Sequence, residues 1–364
     1  MKIICLHQSA ELYGSDRSFL QVVTYFSERE DVTDILVLLP MHGPLVSELQ
    51  KLKVQVEITR LCILRKVWIK KLQWGKLIFP LFKLPSKYKR FKQADIVYCN
   101  TTVVMDFYLL ALVLKNRNIL HVREIPDKWL TRFFTFFINA GKVLALYNSK
   151  STAAAFKKVK RGQVVYNAFE GFNYAGVPVN EVEVAQPLKF LLVGRINDWK
   201  GQDFAVEAFS QLDAEQPFSL TILGSVFEGN EHLLAELKEK VQAYGLQDKV
   251  RFIAFVPDPE PYYQEADVLL VPSKKPEPFG RIAIEAMSIA KPVIAADHGG
   301  LSEIVIHKET GLLFTPNSQM DFIKCLQCYF KDRHLIREHG LQGYQRFKMQ
   351  FSTQSLTTAL DDVF

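Results

Sequence analysis

Short apolar runs recur along the chain, and most are followed by a stretch in which apolar residues return every three or four positions. The runs fall at residues 3–6, 35–39, 54–58, 95–99, 119–122, 143–147 and 164–166, then at 189–193, 218–222, 250–255, 267–271 and 292–295. A strand that is apolar on successive residues is covered on both faces, the condition of a parallel sheet with helices on either side. The alternation therefore predicts an α/β chain of two doubly wound, Rossmann-like parallel-sheet domains. A looser segment with Gly171, Gly176, Pro178, Glu181, Glu183 and Pro187 interrupts it and reads as a linker. The predicted division is a first domain at 1–175, a linker at 176–187 and a second domain at 188–345. A last helix at 346–364 is expected to cross back to the first domain. A length of 364 residues exceeds what one core normally serves. Two such domains facing a cleft would place the carboxyl ends of both sheets at a ligand site.

Charge changes this picture in one place. The net charge is +6, yet residues 60–92, from Arg60 to Lys92, hold eleven Lys or Arg and no acid, which leaves −5 for the rest. Trp68, Trp74, Phe79, Phe82, Tyr88 and Phe91 are interleaved with those cations. Basic plus aromatic suits an anionic membrane surface; a basic helical hairpin folded on its own domain is the structural alternative. No apolar run approaches the roughly 20 residues that span a bilayer. No nucleic-acid-binding module is recognisable, so nucleic acid is not expected as a partner. Five scattered cysteines and a first strand with no signal peptide ahead of it fit a reducing cytoplasm. Cys325 and Cys328 have redox spacing but lie in a helical pattern without a second pair, and are expected to be structural.

The candidate chemistry gathers after the strand runs. The run at 267–271 leads into Pro276-Glu277-Pro278-Phe279-Gly280-Arg281 and a helix carrying Glu285. At about 1.5 Å rise per residue the two carboxylates stand on the order of 8 Å apart along the axis, a small-molecule-sized bracket. Glu285 on an almost wholly apolar helix needs hydrogen-bond donors, and ligand hydroxyls would serve. The amides of Phe279, Gly280 and Arg281 could meet an anion at the helix start. After the run at 189–193, Gly194-Arg195-Ile-Asn-Asp-Trp-Lys200-Gly201 combines glycines, a helix start and two cations, a set that suits a diphosphate. In the first domain, Gly14-Ser15-Asp16-Arg17 opens a helix after strand one. No Gly-x-Gly-x-x-Gly follows the first strand of either domain, which disfavours a dinucleotide-dependent oxidoreductase. No Asp-x-Asp or His/Cys cluster suggests a metal.

Glu277 and Glu285 with seven residues between them, the Gly194-Arg195 and Lys200-Gly201 pairs, and Gly299-Gly300-Leu-Ser-Glu303 ahead of Gly311-Leu-Leu-Phe314 resemble the family 4 retaining glycosyltransferases of GT-B fold, the group 1 glycosyltransferases. The resemblance is densest over residues 189–330. It implies a donor sugar nucleotide on the second domain and an acceptor on the first. Arg195 and Lys200 would clamp the diphosphate, Glu277 would accept from the sugar hydroxyls, and Glu285 would hold the ribose. Phe279, Gly280 and Arg281 would border the sugar or phosphate, and Gly194, Gly224 and Val256 would approach the nucleotide through backbone atoms. His121 matches a histidine beside the donor sugar, the alternative being a structural hydrogen bond. The family's usual glycine pair is Gly14-Ser15 here; Gly14 would neighbour the phosphate, while Ser15, Asp16, Arg17, Arg123 and Glu124 would lie on the acceptor side. The remaining histidines are expected at the surface.

The resemblance implies retaining transfer of a hexose from a UDP- or GDP-sugar to a glycan, and the basic aromatic stretch at 60–92 suggests an acceptor that is lipid-linked in surface polysaccharide assembly, at the cytoplasmic face of the membrane. Attack by the acceptor hydroxyl on the face that the leaving group departs from would need neither cofactor nor metal. Another GT-B enzyme, such as a sugar-nucleotide epimerase or a phosphorylase, or a non-catalytic sugar-nucleotide-binding protein, is the alternative.

Overall fold

The computed structural model describes residues 1–64, 84–174, 176, 186–213, 216–226 and 229–364, and in it the apolar runs form two parallel sheets. The first contains β1 (Lys2–Leu6), β2 (Asp34–Leu39), β3 (Gln55–Ile58), β4 (Ile96–Cys99), β5 (Arg117–Val122), β6 (Leu144–Tyr147) and β7 (Gly162–Val164), in the order β3-β2-β1-β4-β5-β6-β7. The second contains β8 (Leu188–Val193), β9 (Phe218–Leu223), β10 (Val250–Ile253), β11 (Val268–Val271), β12 (Val293–Ala296) and β13 (Gly311–Phe314), ordered β10-β9-β8-β11-β12-β13. In each sheet the order reverses beside the first strand, so the crevice beyond the carboxyl ends opens next to β1 and next to β8.

Register explains why the runs are apolar throughout. Ile4 of β1 lies between Leu36 and Val97, and Leu191 of β8 lies between Thr221 and Leu269. Alternate side chains then enter the cores on opposite faces. One core gathers Ile4, Leu6, Val97, Cys99, Leu120 and Val122, another Phe190, Leu192, Leu220, Ile222, Val268 and Leu270.

Three elements differ from the sequence expectation. The seventh strand begins at Gly162 rather than 164. Gly311–Phe314 is a full edge strand, missed because only the one-turn helix Leu301–Ile304 separates it from β12. The terminal region is not one helix over 346–364: His334–Gln350 ends before a separate helix, Thr353–Asp361.

The chain divides into a unit of residues 1–167 with 357–364 and a unit of 168–356. The boundary falls at 167 rather than 175 because Phe169 is tied into the second unit. Its amide donates to the Phe351 carbonyl, its ring meets Phe172 at 4.8 Å, and Arg281 stacks 5.4 Å from it. Residues 177–185 of the expected linker lie outside the described residues. Within the first unit, Tyr25 donates to Asp361 at 2.8 Å and Phe26 packs edge-on against Phe364.

Of the basic stretch at 60–92, residues 65–83, with Trp68, Trp74, Phe79 and Phe82, lie outside the described residues. Its flanks include fold-building residues. Phe91 is core, and Lys87 is buried, donating to Asp106 Oδ1 at 2.6 Å and to the Arg60 carbonyl at 2.7 Å. Lys87 and Phe91 therefore do not belong to a surface patch. Two histidines expected at the surface, His7 and His339, are also buried. Burial pushes the Cys325 thiol up to about 12, which keeps it protonated and unreactive. Among the described residues no helix is long and apolar enough to cross a membrane.

Candidate functional site

In the second unit, β8 ends in a turn that only glycine can complete. Gly201 has φ +81, and a Cβ there would stand 2.0 Å from the Pro272 carbonyl oxygen. Gly224 has φ +150 and would meet the Gly194 oxygen at 2.1 Å. Backbones thus approach where side chains would otherwise intrude. Asn197 Oδ1 accepts from the amides of Trp199 and Lys200 at 3.1 and 2.9 Å, an Asx-type turn that aims Lys200. The Lys274 amide donates to the Trp199 carbonyl at 2.7 Å, joining this loop to the one after β11.

That junction brings together two of the residues singled out from the sequence. Lys200 Nζ donates to Glu277 Oε1 at 2.8 Å and lies 4.8 Å from the Trp199 ring centroid. Glu277 is buried and also accepts from Ser273 Oγ. Its carbonyl takes the Gly300 amide at 2.8 Å, and a Cβ on Gly299 or Gly300 would strike the 277–279 backbone. The Gly299-Gly300 pair is therefore what lets the glutamate loop pack against the turn after β12. Arg195 is half-buried just beyond β8, its carbonyl held by Gln202 Nε2 at 3.1 Å. The cluster offers two cations and one buried carboxylate at one sheet edge. An incoming diphosphate can take Lys200 from Glu277 and release that carboxylate to accept from hydroxyls.

Glu285 behaves differently from the sequence argument. It is half-buried, and both oxygens have donors within the protein: Arg281 Nε at 2.9 Å and Tyr263 Oη at 2.8 Å. Ligand hydroxyls, expected as candidate donors, are not needed to satisfy it, because the i,i+4 arginine and a tyrosine from helix Glu260–Glu265 already donate. The Arg281 side chain is engaged there and over Phe169. Phe279 is buried with its ring 6.0 Å from Phe351, and Gly280 caps the helix Arg281–Met287 at φ +109. Gly224 and Val256 lie beyond β9 and β10, and the Gly224 amide donates to the Ile253 carbonyl at 2.8 Å.

In the first unit the polar residues directly after β1, β4 and β5 form one buried network. His7 Nε2 lies 2.9 Å from Asp16 Oδ1, and Asn100 Nδ2 lies 3.3 Å from His7 Nδ1. Asn100 Oδ1 accepts from Arg123 Nε at 2.9 Å, and a second guanidinium nitrogen donates to Asn167. Asp16 is fully enclosed, accepting from Ser9 and from the Tyr13 amide at 3.0 Å, so it closes a helix cap instead of facing an acceptor. Burial alone would raise its pKa, but the hydrogen bonds from His7, Ser9 and Tyr13 win and hold the carboxyl below the usual range. Glu124 is likewise taken, by the hydroxyls of Thr101 and Thr102 at 2.6 and 3.2 Å. Arg123 is buried as well. Asp16, Arg123 and Glu124 thus serve this scaffold, a correction to their acceptor-side reading. Gly14 is exposed at the start of helix Gly14–Glu28, Ser15 is half-buried and gives its carbonyl to Asn100, and Arg17 donates to the Leu12 carbonyl at 3.1 Å.

His121 belongs to the same network. Its Nδ1 lies 2.9 Å from Tyr98 Oη and 3.1 Å from Arg123, which has only donors to offer, so the ring proton is assigned to Nε2. Nε2 is buried with no hydrogen bond among the described residues. Burial, then the Arg123 charge, holds the imidazole well below 6.5. The folded state keeps the ring neutral while the unfolded chain protonates near pH 6.5, so stability falls as pH drops through that value. Asp16 acts in a lower window, its stabilisation lost as pH falls through its depressed pKa. We expect His121→Gln to flatten the decline between pH 7 and 5 in denaturant midpoints; an unchanged acid limb would contradict it.

Sequence reasoning missed Ser273, Asn197, Tyr263, His7, Asn100, Tyr98 and Asn167. Two of these share a signal with Arg123: His7 and Asn100, like Arg123, are the first residues past an apolar run, where α/β sheets carry their polar edge. Among the described residues no group of three His, Cys, Asp or Glu could hold a metal ion.

Two doubly wound parallel sheets with these orders define a protein of GT-B fold. Residues 179–346 match the family "Glycosyl transferases group 1". It is similar to D-inositol 3-phosphate glycosyltransferase of Jonesia denitrificans, 35% identical over 180 residues that cover 48% of this chain and 42% of that protein. It is similar also to human alpha-1,3/1,6-mannosyltransferase ALG2, 27% identical over 304 residues that cover 77% of this chain and 69% of that one. The chain spans about half the length of several curated relatives that it matches. Anabaena HepE, solved with UDP and glucose, superposes with TM-score 0.82 at 22% identity over 100% of this chain and 99% of that one.

Proposed function

We propose that this chain is a retaining hexosyltransferase that moves a hexose from a UDP- or GDP-sugar to a glycan acceptor, without cofactor or metal. The observation that carries the reading is the Lys200–Glu277 ion pair, held at the glycine-lined edge beside Arg195. In transfer, the bond from the anomeric carbon to the leaving phosphate oxygen breaks. The acceptor hydroxyl oxygen bonds that carbon on the same face, and its proton passes to the departing phosphate. Arg195 and Lys200 stabilise the charge that grows on the nucleoside diphosphate, and Glu277 orients the sugar through its hydroxyls. Glu285, already held by Arg281 and Tyr263, can accept from ribose through its remaining lone pairs. HepE, solved in complex with UDP and glucose, supports a nucleoside-diphosphate-sugar donor.

The cations and interleaved aromatics of residues 60–92 other than the buried Lys87 and Phe91 support a lipid-linked acceptor of surface polysaccharide assembly at the cytoplasmic membrane face. A relative of Rhizobium leguminosarum named as a lipopolysaccharide core mannosyltransferase supports the same class of acceptor. Thermal melting with UDP, GDP and their sugars tests donor binding. A nucleotide at a hundred times its Kd stabilises by about 2.7 kcal/mol, a shift of several degrees. No shift with any of them would contradict the reading.

A further inference from the structure

The helix Lys128–Ala140 is apolar on two faces. Leu130, Thr131, Phe134 and Ile138 are buried, as an amphipathic helix requires. The solvent face, however, carries Trp129 at 62%, Phe133 at 36% and Phe136 at 66% exposure. These sit at i, i+4 and i+7, one stripe of the helix. Scattered exposed apolar residues are ordinary, but this is a contiguous patch. Phe137 lies 4.9 Å from Phe133 and 5.4 Å from Phe136.

The rim of the patch is cationic. Lys128 and Arg132 are exposed on the helix itself. Asn139 gives its side chain to the Lys158 carbonyl and takes the Lys160 amide, and Arg161 donates to the Lys142 carbonyl, which collects four more cations at the helix end. Residues 128–169 contain eight Lys or Arg and no Asp or Glu. The first unit as a whole has 27 basic against 14 acidic residues, net +13, which leaves −7 for the second. Aromatic side chains bordered by these cations, with Asp127 at the helix N-cap the one exposed acid adjoining the helix start, complement a surface that is apolar within and anionic at its face.

We propose that the Trp129-Phe133-Phe136 face docks on an anionic lipid bilayer, the rings entering the acyl boundary and the surrounding cations meeting the headgroup phosphates. This face is separate in sequence from residues 60–92 and does not depend on the transferase reading. It is tested by flotation of the full chain with vesicles of phosphatidylcholine alone and of phosphatidylcholine with phosphatidylglycerol. The parent is expected to bind the anionic vesicles. Trp129→Ser/Phe136→Ser should weaken that binding at least about tenfold with an unchanged melting midpoint, because both side chains are solvent-exposed. Phe136→Lys, a second variant, adds a cation while removing part of the wedge. It should still bind at low salt and release at salt concentrations that the parent withstands. Parent-like binding of the double variant, equal binding to neutral vesicles, or loss of a parent dimer on Trp129→Ser/Phe136→Ser with no change in vesicle binding would each overturn the proposal. The last outcome would assign the face to a second protein copy.

Discussion

Lys200→Ala is expected to lower sugar transfer by about 10²–10³-fold while the protein keeps its fold. Removing one preorganised charge partner of a developing anion costs roughly 3–4 kcal/mol of transition-state stabilisation. The loss should fall chiefly on kcat, because the cation matters most as the leaving group gains charge. The same substitution leaves Glu277 with Ser273 as its side-chain partner, so a modest fall in melting temperature accompanies it. Glu277→Gln separates the two roles. It frees Lys200 and keeps a group that can meet hydroxyls, so donor nucleotide binding should persist while transfer drops. Steady-state kinetics with a melting control decides this, and full activity in Lys200→Ala would remove the assignment.

Lys87→Met should be among the most destabilising single changes in the first unit. Asp106 is wholly buried and held by Lys87 Nζ and the Cys62 amide. Removing the cation strands a buried carboxylate at a cost of about 3–5 kcal/mol. Pairing the change with Asp106→Leu removes both charges and should recover most of the loss, since a buried ion pair often adds little over apolar packing. Urea unfolding of the two variants checks both statements; equal stability of Lys87→Met and parent would contradict them. The result also separates this lysine from the surface charges around it.

The strand pattern was legible because a strand covered on both faces leaves little room for polar residues, and each such run reads out directly. Gly311–Phe314 escaped because one helical turn is too short to carry a period. The cation–carboxylate site was legible for a related reason: Arg195, Lys200 and Glu277 stand just past apolar runs, where polarity has no core to serve. Glu285 shows the limit. Burial on an apolar helix correctly demanded donors, but only coordinates reveal that Tyr263, 22 residues earlier, and Arg281 supply them. Asp16, Arg123 and Glu124 misled for the same reason, since their partners His7, Asn100, Thr101 and Asn167 come from other strands and loops. Sequence neighbours give no sign of such long-range pairs.

Retaining transfer from a sugar nucleotide at the Lys200–Glu277 site is tested most directly by proton NMR of the hexose released when the full chain turns over UDP- and GDP-sugars. The first-formed product is expected to keep the donor's anomeric configuration, and Lys200→Ala to suppress its formation. An inverted first product, or release undiminished by Lys200→Ala, would contradict it.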